Sequence, residues 1–360
     1  MKEIQKLFVI LGHSKLAIYI LFLSILVAMF ELIGLALIMP YITLAMEGRI
    51  PDNIYLNIVL EFFNISVFTE FMIFTTITIF IFYVVRLLLN LYFKYISLNF
   101  VYKLRHIIMS KLFSHYAYID YAHFSYKNSS ELKKTLLTES SNTQSILTES
   151  ITIISESFVL ILLLSLVFYS NWKLSLILFI IFGFMFFIVH FIVRNKIKEI
   201  SKKRQIYGQG IHKQVDETFN NFKFLKLIGA EKIKINLFNK NSYGFYGIST
   251  TFSLLNQFPR YILETIGLVS IIGLVYYLIR LENAQSSLTI LGIYALAFYR
   301  ALPSVNRIIT SFNTFQYYKN TIDQVYNDLQ IEKESYVDTE TIIFKDYLEL
   351  KNISFSHMHS

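Results

Sequence analysis

Hydrophobic residues are concentrated in six long runs, which are separated by polar and mostly basic segments. Each run reaches or approaches the roughly 20 apolar residues that a helix needs to cross about 30 Å of hydrocarbon. The first run carries Glu31, is too long for the apolar core of a signal peptide and lacks a clear small-residue cleavage site. The pattern therefore predicts an all-α polytopic membrane protein with six transmembrane helices, near residues 16–41, 71–98, 151–169, 174–193, 252–279 and 288–315.

Lysine and arginine are distributed unevenly over the segments between the runs. The two ends of the chain and the connections after runs two and four hold 25 of them, whereas the other three connections hold three. Basic segments next to membrane helices stay in the cytoplasm. We therefore expect a protein of the inner (cytoplasmic) membrane with both termini cytoplasmic.

The two long basic connections keep a helical spacing of apolar residues, over 99–135 and 194–240. We expect the membrane helices to continue through them into the cytoplasm. On the opposite side, residues 52–66 form an amphipathic pattern. They are predicted either to lie at the membrane interface or to form an ordinary loop helix.

Composition supports the membrane class. Hydrophobic residues make up 54% of the 360 residues and charged residues 16%, where soluble domains have about a quarter charged. The net charge of +8 fits basic cytoplasmic loops better than a nucleic-acid partner. The absence of cysteine excludes disulfides and thiolate metal sites, and the scattered histidines indicate no metal site.

Three of the runs contain basic residues at helical spacing. Arg300 and Arg307 are two turns apart in the sixth run and share one face, and Pro303 between them is expected to kink the helix. Charged residues inside membrane spans usually face the bundle interior or a water-filled cavity, and the arginine fork pairs with phosphate oxygens. The pattern therefore predicts a polyanion-binding surface formed by Arg86, Asn90 and Lys94 of the second run, Arg260 of the fifth, and Arg300 and Arg307 of the sixth.

Structural pairing is the alternative for these side chains. Arg260 is one turn from Glu264, so the two could form an ion pair within one helix. Arg300 or Arg307 could instead pair with Glu31 of the first run or Glu156 of the third. Lys94, near a helix end, could simply extend to the interface.

Several segments resemble the transmembrane domain of ABC exporters. FSHYAYIDYAHFSYKNSSELKKTL (113–136) resembles the first coupling loop and contains Asp120 and Phe124. NNFKFLKLIGAEKIKINLF (220–238) resembles the second and contains Gly229 and Glu231. By this resemblance these residues pack and cap the coupling loops rather than bind substrate.

Two further segments resemble one group within that family. AFYRALPSVNRIITSF (297–312) and ELIGLALIMPYITLA (31–45) are similar to PglK-type flippases of lipid-linked oligosaccharides. The resemblance implies a homodimer that encloses one cavity in the membrane and carries a polyprenyl pyrophosphate sugar. It also implies ATP and Mg on motor domains that act through the coupling loops. A peptide or drug exporter of the same fold is the alternative.

The C-terminal residues resemble the beginning of a nucleotide-binding domain. LELKNISFS (348–356) is similar to its first strand, but no glycine is followed by lysine, so the phosphate loop is absent from this sequence. The signature and Walker B motifs are also absent, so we expect no ATP hydrolysis by this chain. The predicted domains are a membrane domain over 1–320, a linker over 321–346 and a truncated strand over 347–360. There are two alternatives to a truncated transporter: a membrane half whose motor is a separate subunit, and a fragment without transport activity.

Overall fold

The computed structural model describes residues 15–48, 50, 63, 67–119, 129–170, 172–279, 284–331, 347, 349 and 351–354. Within these residues the chain is mainly helical, as the all-α prediction requires, and contains no strand. The helices are α1 (Lys15–Glu47), α2 (Phe68–Ala117), α3 (Ser129–Lys134), α4 (Ser140–Ser170), α5 (Trp172–Asn220), α6 (Phe222–Ile228), α7 (Glu231–Ile279), α8 (Ala284–Tyr318) and α9 (Asn320–Leu329).

Each of the six apolar runs lies in one long helix, in α1, α2, α4, α5, α7 and α8. Helix α2 has 50 residues, and α5 and α7 have 49 each. At 1.5 Å per residue each is about 75 Å long, more than twice the thickness of the hydrocarbon core. Among the described residues, the second run thus continues as regular helix to Ala117, the fourth run continues to Asn220, and the helix of the fifth run begins at Glu231.

Three described helical segments are long and apolar enough to cross a membrane, namely Lys15–Glu47, Phe68–Ala117 and Ser129–Tyr169. The apolar stretch of α2 is not buried inside the protein, and Ile73, Phe80 and Leu91 expose most of their surface. Such a continuous apolar exterior is stable in lipid rather than in water. The count of six spans and the side on which the termini lie stay predictions.

Two groups of helices form the main apolar contacts. Helices α5, α7 and α8 share a buried cluster that includes Ile197, Leu263 and Ile309. Helices α1, α2, α4 and α9 share a second one that includes Val101 and Ile322. Helix α8 connects the groups because it also packs against α4. It thus lies where side chains from several helices converge.

The first part of the predicted linker, up to Leu329, lies in helix α9. Its Ile322 and Val325 are fully buried against α2 and α4, so this part of the chain is packed onto the helical bundle. The domain boundary itself is not decided by this packing. Of the predicted strand over 347–360, residues 347, 349 and 351–354 are described and have no regular secondary structure.

Candidate functional site: arginines between the membrane helices

Arg300 and Arg307 lie two turns apart on α8, as the sequence predicts, but each contacts a different neighbouring helix. Arg300 pairs with Glu31 of α1, and Arg307 pairs with Glu156 of α4, with 2.8 Å between Arg307 Nε and Glu156 Oε1. The pairing alternative considered for these two arginines is thus present in the structure. Pro303 lies within the helix between them.

Glu31 contacts two arginines through the same oxygen atom. Arg86 of α2 donates from Nη2 to Glu31 Oε1 at 2.8 Å, and Nη2 of Arg300 contacts that oxygen as well. All three side chains are largely buried. We name Glu31, Arg86 and Arg300 the Glu31 cluster. It joins α1, α2 and α8 and holds two positive charges against one negative charge.

The surroundings of Arg86 are shaped for a guanidinium. The ring of Tyr83 lies beneath it, 5.5 Å from its central carbon, and the Tyr83 hydroxyl donates to the Gly34 carbonyl at 2.9 Å. A Cβ at Gly34 would lie 3.4 Å from Arg86 Nη1 and 3.3 Å from the ring of Phe82. Gly34 lies one turn after Glu31 on α1, and its lack of a side chain leaves room for Arg86.

The remaining arginine of the predicted surface is more exposed. Arg260 of α7 pairs with Glu264 of the same helix, Nε to Oε1, at 2.7 Å, and the two side chains are 64% and 51% exposed. A cleft of about 410 Å³ between α7 and α8 is lined by Arg260, Glu264 and Arg307, together with Tyr299 and Asn306. The structure therefore brings two of the predicted arginines to one cleft.

The other two predicted residues do not join these groups. Asn90 donates from Nδ2 to the Arg86 carbonyl at 3.0 Å, a bond within α2. Lys94, one turn further along α2, is exposed. Of the three predicted residues of α2, Arg86 is thus the one that forms an ion pair with another helix among the described residues.

Polar atoms near the arginines are buried without a hydrogen-bond partner in the described part of the chain. Six of them belong to α4, α7 and α8. Such atoms are costly in a dry apolar interior, so they indicate a polar lining rather than a sealed core. They are Glu156 Oε2, Asn256 Oδ1, Arg300 Nε, Ser304 Oγ, Asn306 Oδ1 and Asn313 Nδ2.

Of the predicted coupling-loop residues, Asp120 and Phe124 lie outside the described residues. Gly229 ends α6 in the left-handed conformation, with φ of 61°, and its N–H donates to the Leu225 carbonyl. Glu231 begins α7 and contacts Lys226 at 2.9 Å between Oε1 and Nζ. Its own backbone N–H, and then Lys226, hold the pKa of the Glu231 carboxyl below its usual value. The turn is therefore capped as expected, while its coupling role stays a prediction.

A second buried polar group was not predicted from the sequence. Glu139 ends a π-helical turn, Thr135–Glu139, that connects α3 to α4, and its side chain is fully buried. It accepts hydrogen bonds from Thr321 of α9 at 2.6 Å and from Asn142 at 2.8 Å. Lys134 and Arg204 of α5 lie 3.2 and 3.8 Å from its carboxylate oxygens. We name these five residues the Glu139 cluster.

No periodic signal marks the Glu139 cluster in the sequence. Glu139 lies in a polar segment whose pattern predicts an exposed helix face. Thr321 is separated from it by more than half of the chain. The only available hint was the charged run around Lys134, which is usually solvated. The packing of α9 onto α4 and α5 removes these groups from water.

Long helices with apolar exteriors and charged pairs between them define a polytopic helical membrane protein with a polar interior. The family of the ABC transporter transmembrane region matches residues 17–302. The chain belongs to this family, so the prediction that it is the membrane part of an ABC transporter is confirmed. The match includes the Glu31 cluster and Arg260, whereas Arg307 and α9 lie beyond it.

Proposed function

We propose that this chain is the membrane domain of an exporter that flips a lipid-linked oligosaccharide, a sugar joined to a polyprenyl pyrophosphate. The observation that carries the proposal is the set of four arginines on α2, α7 and α8. Each faces a carboxylate of the protein. Arginine keeps its charge in a low-dielectric interior and pairs bidentately with phosphate oxygens.

The polar head and the lipid tail have different requirements in this proposal. The pyrophosphate and sugar pass through the polar interior lined by α8, where the arginines offset the cost of moving the anion. The polyprenyl tail stays in contact with the apolar exterior. A homodimer would enclose one such cavity between its two halves.

The energy source in this proposal is ATP with Mg, bound by motor domains that act on the coupling loops. The described chain is proposed to have no ATPase activity of its own. The transporter is placed in the inner membrane with both termini cytoplasmic. The purified chain should therefore show no ATP hydrolysis above background, and measurable turnover would contradict this part of the proposal.

Transport in vesicles tests the role of the arginines, with the motor domain supplied. We expect Arg86→Ala, Arg260→Ala, Arg300→Ala and Arg307→Ala to reduce flipping of a pyrophosphate-linked lipid while the dimer still assembles. Arg→Lys at the same positions should restore flipping only in part, because the ammonium group keeps the charge and loses the planar fork. Arg194→Ala is the matched control, since it removes an exposed arginine from the extension of α5.

Thermal unfolding of the same variants separates transport from folding. If an arginine acts only as a structural partner, its loss should reduce stability first, most of all in Arg307→Ala, which leaves the buried Glu156 without its counter-charge. In the double variant Arg86→Ala/Arg300→Ala, adding Glu31→Gln would then restore stability. Unchanged flipping in all four alanine variants contradicts the proposal. Export of an apolar peptide or drug, without flipping of the pyrophosphate lipid, would favour the alternative cargo.

A further inference from the structure

The Glu31 cluster has an unequal charge balance. One carboxylate oxygen accepts contacts from Arg86 and Arg300, which come from two different helices. A guanidinium carries five N–H donors, so two of them offer far more donors than one carboxylate can accept. Arg300 Nε, for example, is buried with no hydrogen-bond partner in the described residues. The cluster can therefore donate hydrogen bonds to further anionic oxygen atoms of a ligand.

The carboxylate also has a role when no anionic ligand is bound. Two arginines inside a membrane domain are costly without a counter-charge. Glu31 supplies that counter-charge, and Tyr83 and Gly34 fix the position of Arg86 beside it. Any phosphate that binds both arginines must compete with Glu31 for the same donors.

We infer that Glu31 is an internal counter-anion that holds Arg86 and Arg300 between transport cycles and weakens their binding of a phosphate ligand. This inference rests on the proposed function, because it assumes that the arginines contact the pyrophosphate. Glu31 is then a specificity-determining residue: a singly charged or neutral head group cannot displace it, whereas a pyrophosphate can. When the ligand leaves, the carboxylate pairs with both arginines again.

Ligand binding to the full chain in nanodiscs tests this inference without a motor domain. The probe is a polyprenyl pyrophosphate, with the matching polyprenyl alcohol as neutral control and inorganic pyrophosphate to distinguish a lipid head group from a free phosphate. We expect Glu31→Gln to bind the polyprenyl pyrophosphate about tenfold more tightly than the wild type, since close charge pairs couple strongly. Affinity for the alcohol should not change.

Three variants separate competition from a general change in charge. Glu149→Gln removes a carboxylate from α4 that accepts a hydrogen bond from Ser311, and it should leave affinity unchanged. Glu31→Asp keeps the charge on a shorter side chain that reaches both arginines less well, so it should bind with intermediate affinity. In the double variant Arg86→Ala/Arg300→Ala, adding Glu31→Gln should not increase the affinity for the polyprenyl pyrophosphate.

The outcomes distinguish the inference from the proposed function. If neither the wild type nor Glu31→Gln prefers the pyrophosphate lipid to the alcohol, the proposed function fails and the inference fails with it. If the wild type shows this preference and Glu31→Gln binds no more tightly, the inference alone is overturned. An equal gain in Glu149→Gln would also overturn it, because the effect would then be one of net charge.

Discussion

Buried and exposed ion pairs differ in their consequences for single residues. Arg260 and Glu264 form a pair on one helix with most of their surface exposed, so either member can be replaced without leaving a buried charge. In the Glu31 cluster, loss of one arginine leaves the other beside the carboxylate. Loss of both removes its counter-charge entirely. The effects of Arg86→Ala and Arg300→Ala on stability should therefore not be additive.

Gly229 is a residue whose backbone conformation decides what can replace it. Its φ of 61° is unfavourable for a residue with a Cβ, although nothing lies within 4 Å of the position that a Cβ would take there. We expect Gly229→Ala to destabilise the turn by about 1–2 kcal/mol, purely through the backbone. Hydrogen exchange over 222–235 should show faster opening of α6 and of the start of α7.

Gly247 provides the matched control for this prediction. It also has open space where an alanine methyl group would lie, but it is inside α7 and shows no positive φ. Gly247→Ala should therefore stabilise the helix slightly, by roughly 0.5–1 kcal/mol. If both variants have the same effect, the left-handed conformation of Gly229 does not limit the turn.

At the scale of the elements, the Glu139 cluster fixes α9 to the bundle. Thr321 of α9, Arg204 of α5 and Glu139 just before α4 come together away from water. Arg204 also lies over the rings of Tyr317 and Tyr318 at the end of α8, at 5.2 and 4.7 Å from their centres. Movement of α9 relative to α4 and α5 would therefore break the buried hydrogen bonds that join Thr321 to Glu139 and Arg204.

Glu139→Gln removes the negative charge and leaves Lys134 and Arg204 buried without their counter-charge. We expect a loss of about 3–5 kcal/mol in the free energy of unfolding near pH 7, because the broken pair is buried. Thermal unfolding in detergent measures it. Glu199→Gln is the control: it removes an exposed carboxylate that contacts Lys196 and Lys203 on the same helix, and should shift the midpoint only slightly. Equal shifts would contradict the prediction.

Glu139, which precedes the apolar run at 151–169, is predicted to make stability depend on pH. Burial alone would raise the pKa of Glu139, but Arg204, the hydrogen bonds from Thr321 and Asn142, and Lys134 together hold it below the usual value of 4.5. A carboxyl with a lower pKa in the folded state stabilises it above the unfolded pKa and loses this contribution as pH falls through the folded pKa. The difference in stability between wild type and Glu139→Gln should therefore narrow below about pH 4.5.

For the whole molecule, the orientation in the membrane can be tested by cysteine labelling, since the chain has no native cysteine. Ser201 is unsuitable as a labelling site because it is 2% exposed and donates to the Tyr317 carbonyl. Lys202 and Thr69 are exposed. In intact cells, Thr69→Cys should react with a membrane-impermeant reagent, and Lys202→Cys should react only after permeabilisation. The reverse result would invert the predicted topology.

The sequence by itself determined the helices and the positions of the charges along them. The length of an apolar run and its spacing of polar residues are local properties, so six runs predicted six long helices and placed Arg300 and Arg307 on one face of α8. Family membership also follows from the sequence, since the family of the ABC transporter transmembrane region matches residues 17–302.

The tertiary structure alone decided which charges on different helices meet. From the sequence, either arginine of α8 could pair with Glu31 or with Glu156, and no partner was predicted for Arg86. The packing of α1 between α2 and α8 places Arg86 and Arg300 at one oxygen of Glu31. The packing of α9 likewise buries Glu139 beside Thr321. Such contacts join residues far apart in the chain, and they depend on how helices pack, which no local pattern specifies.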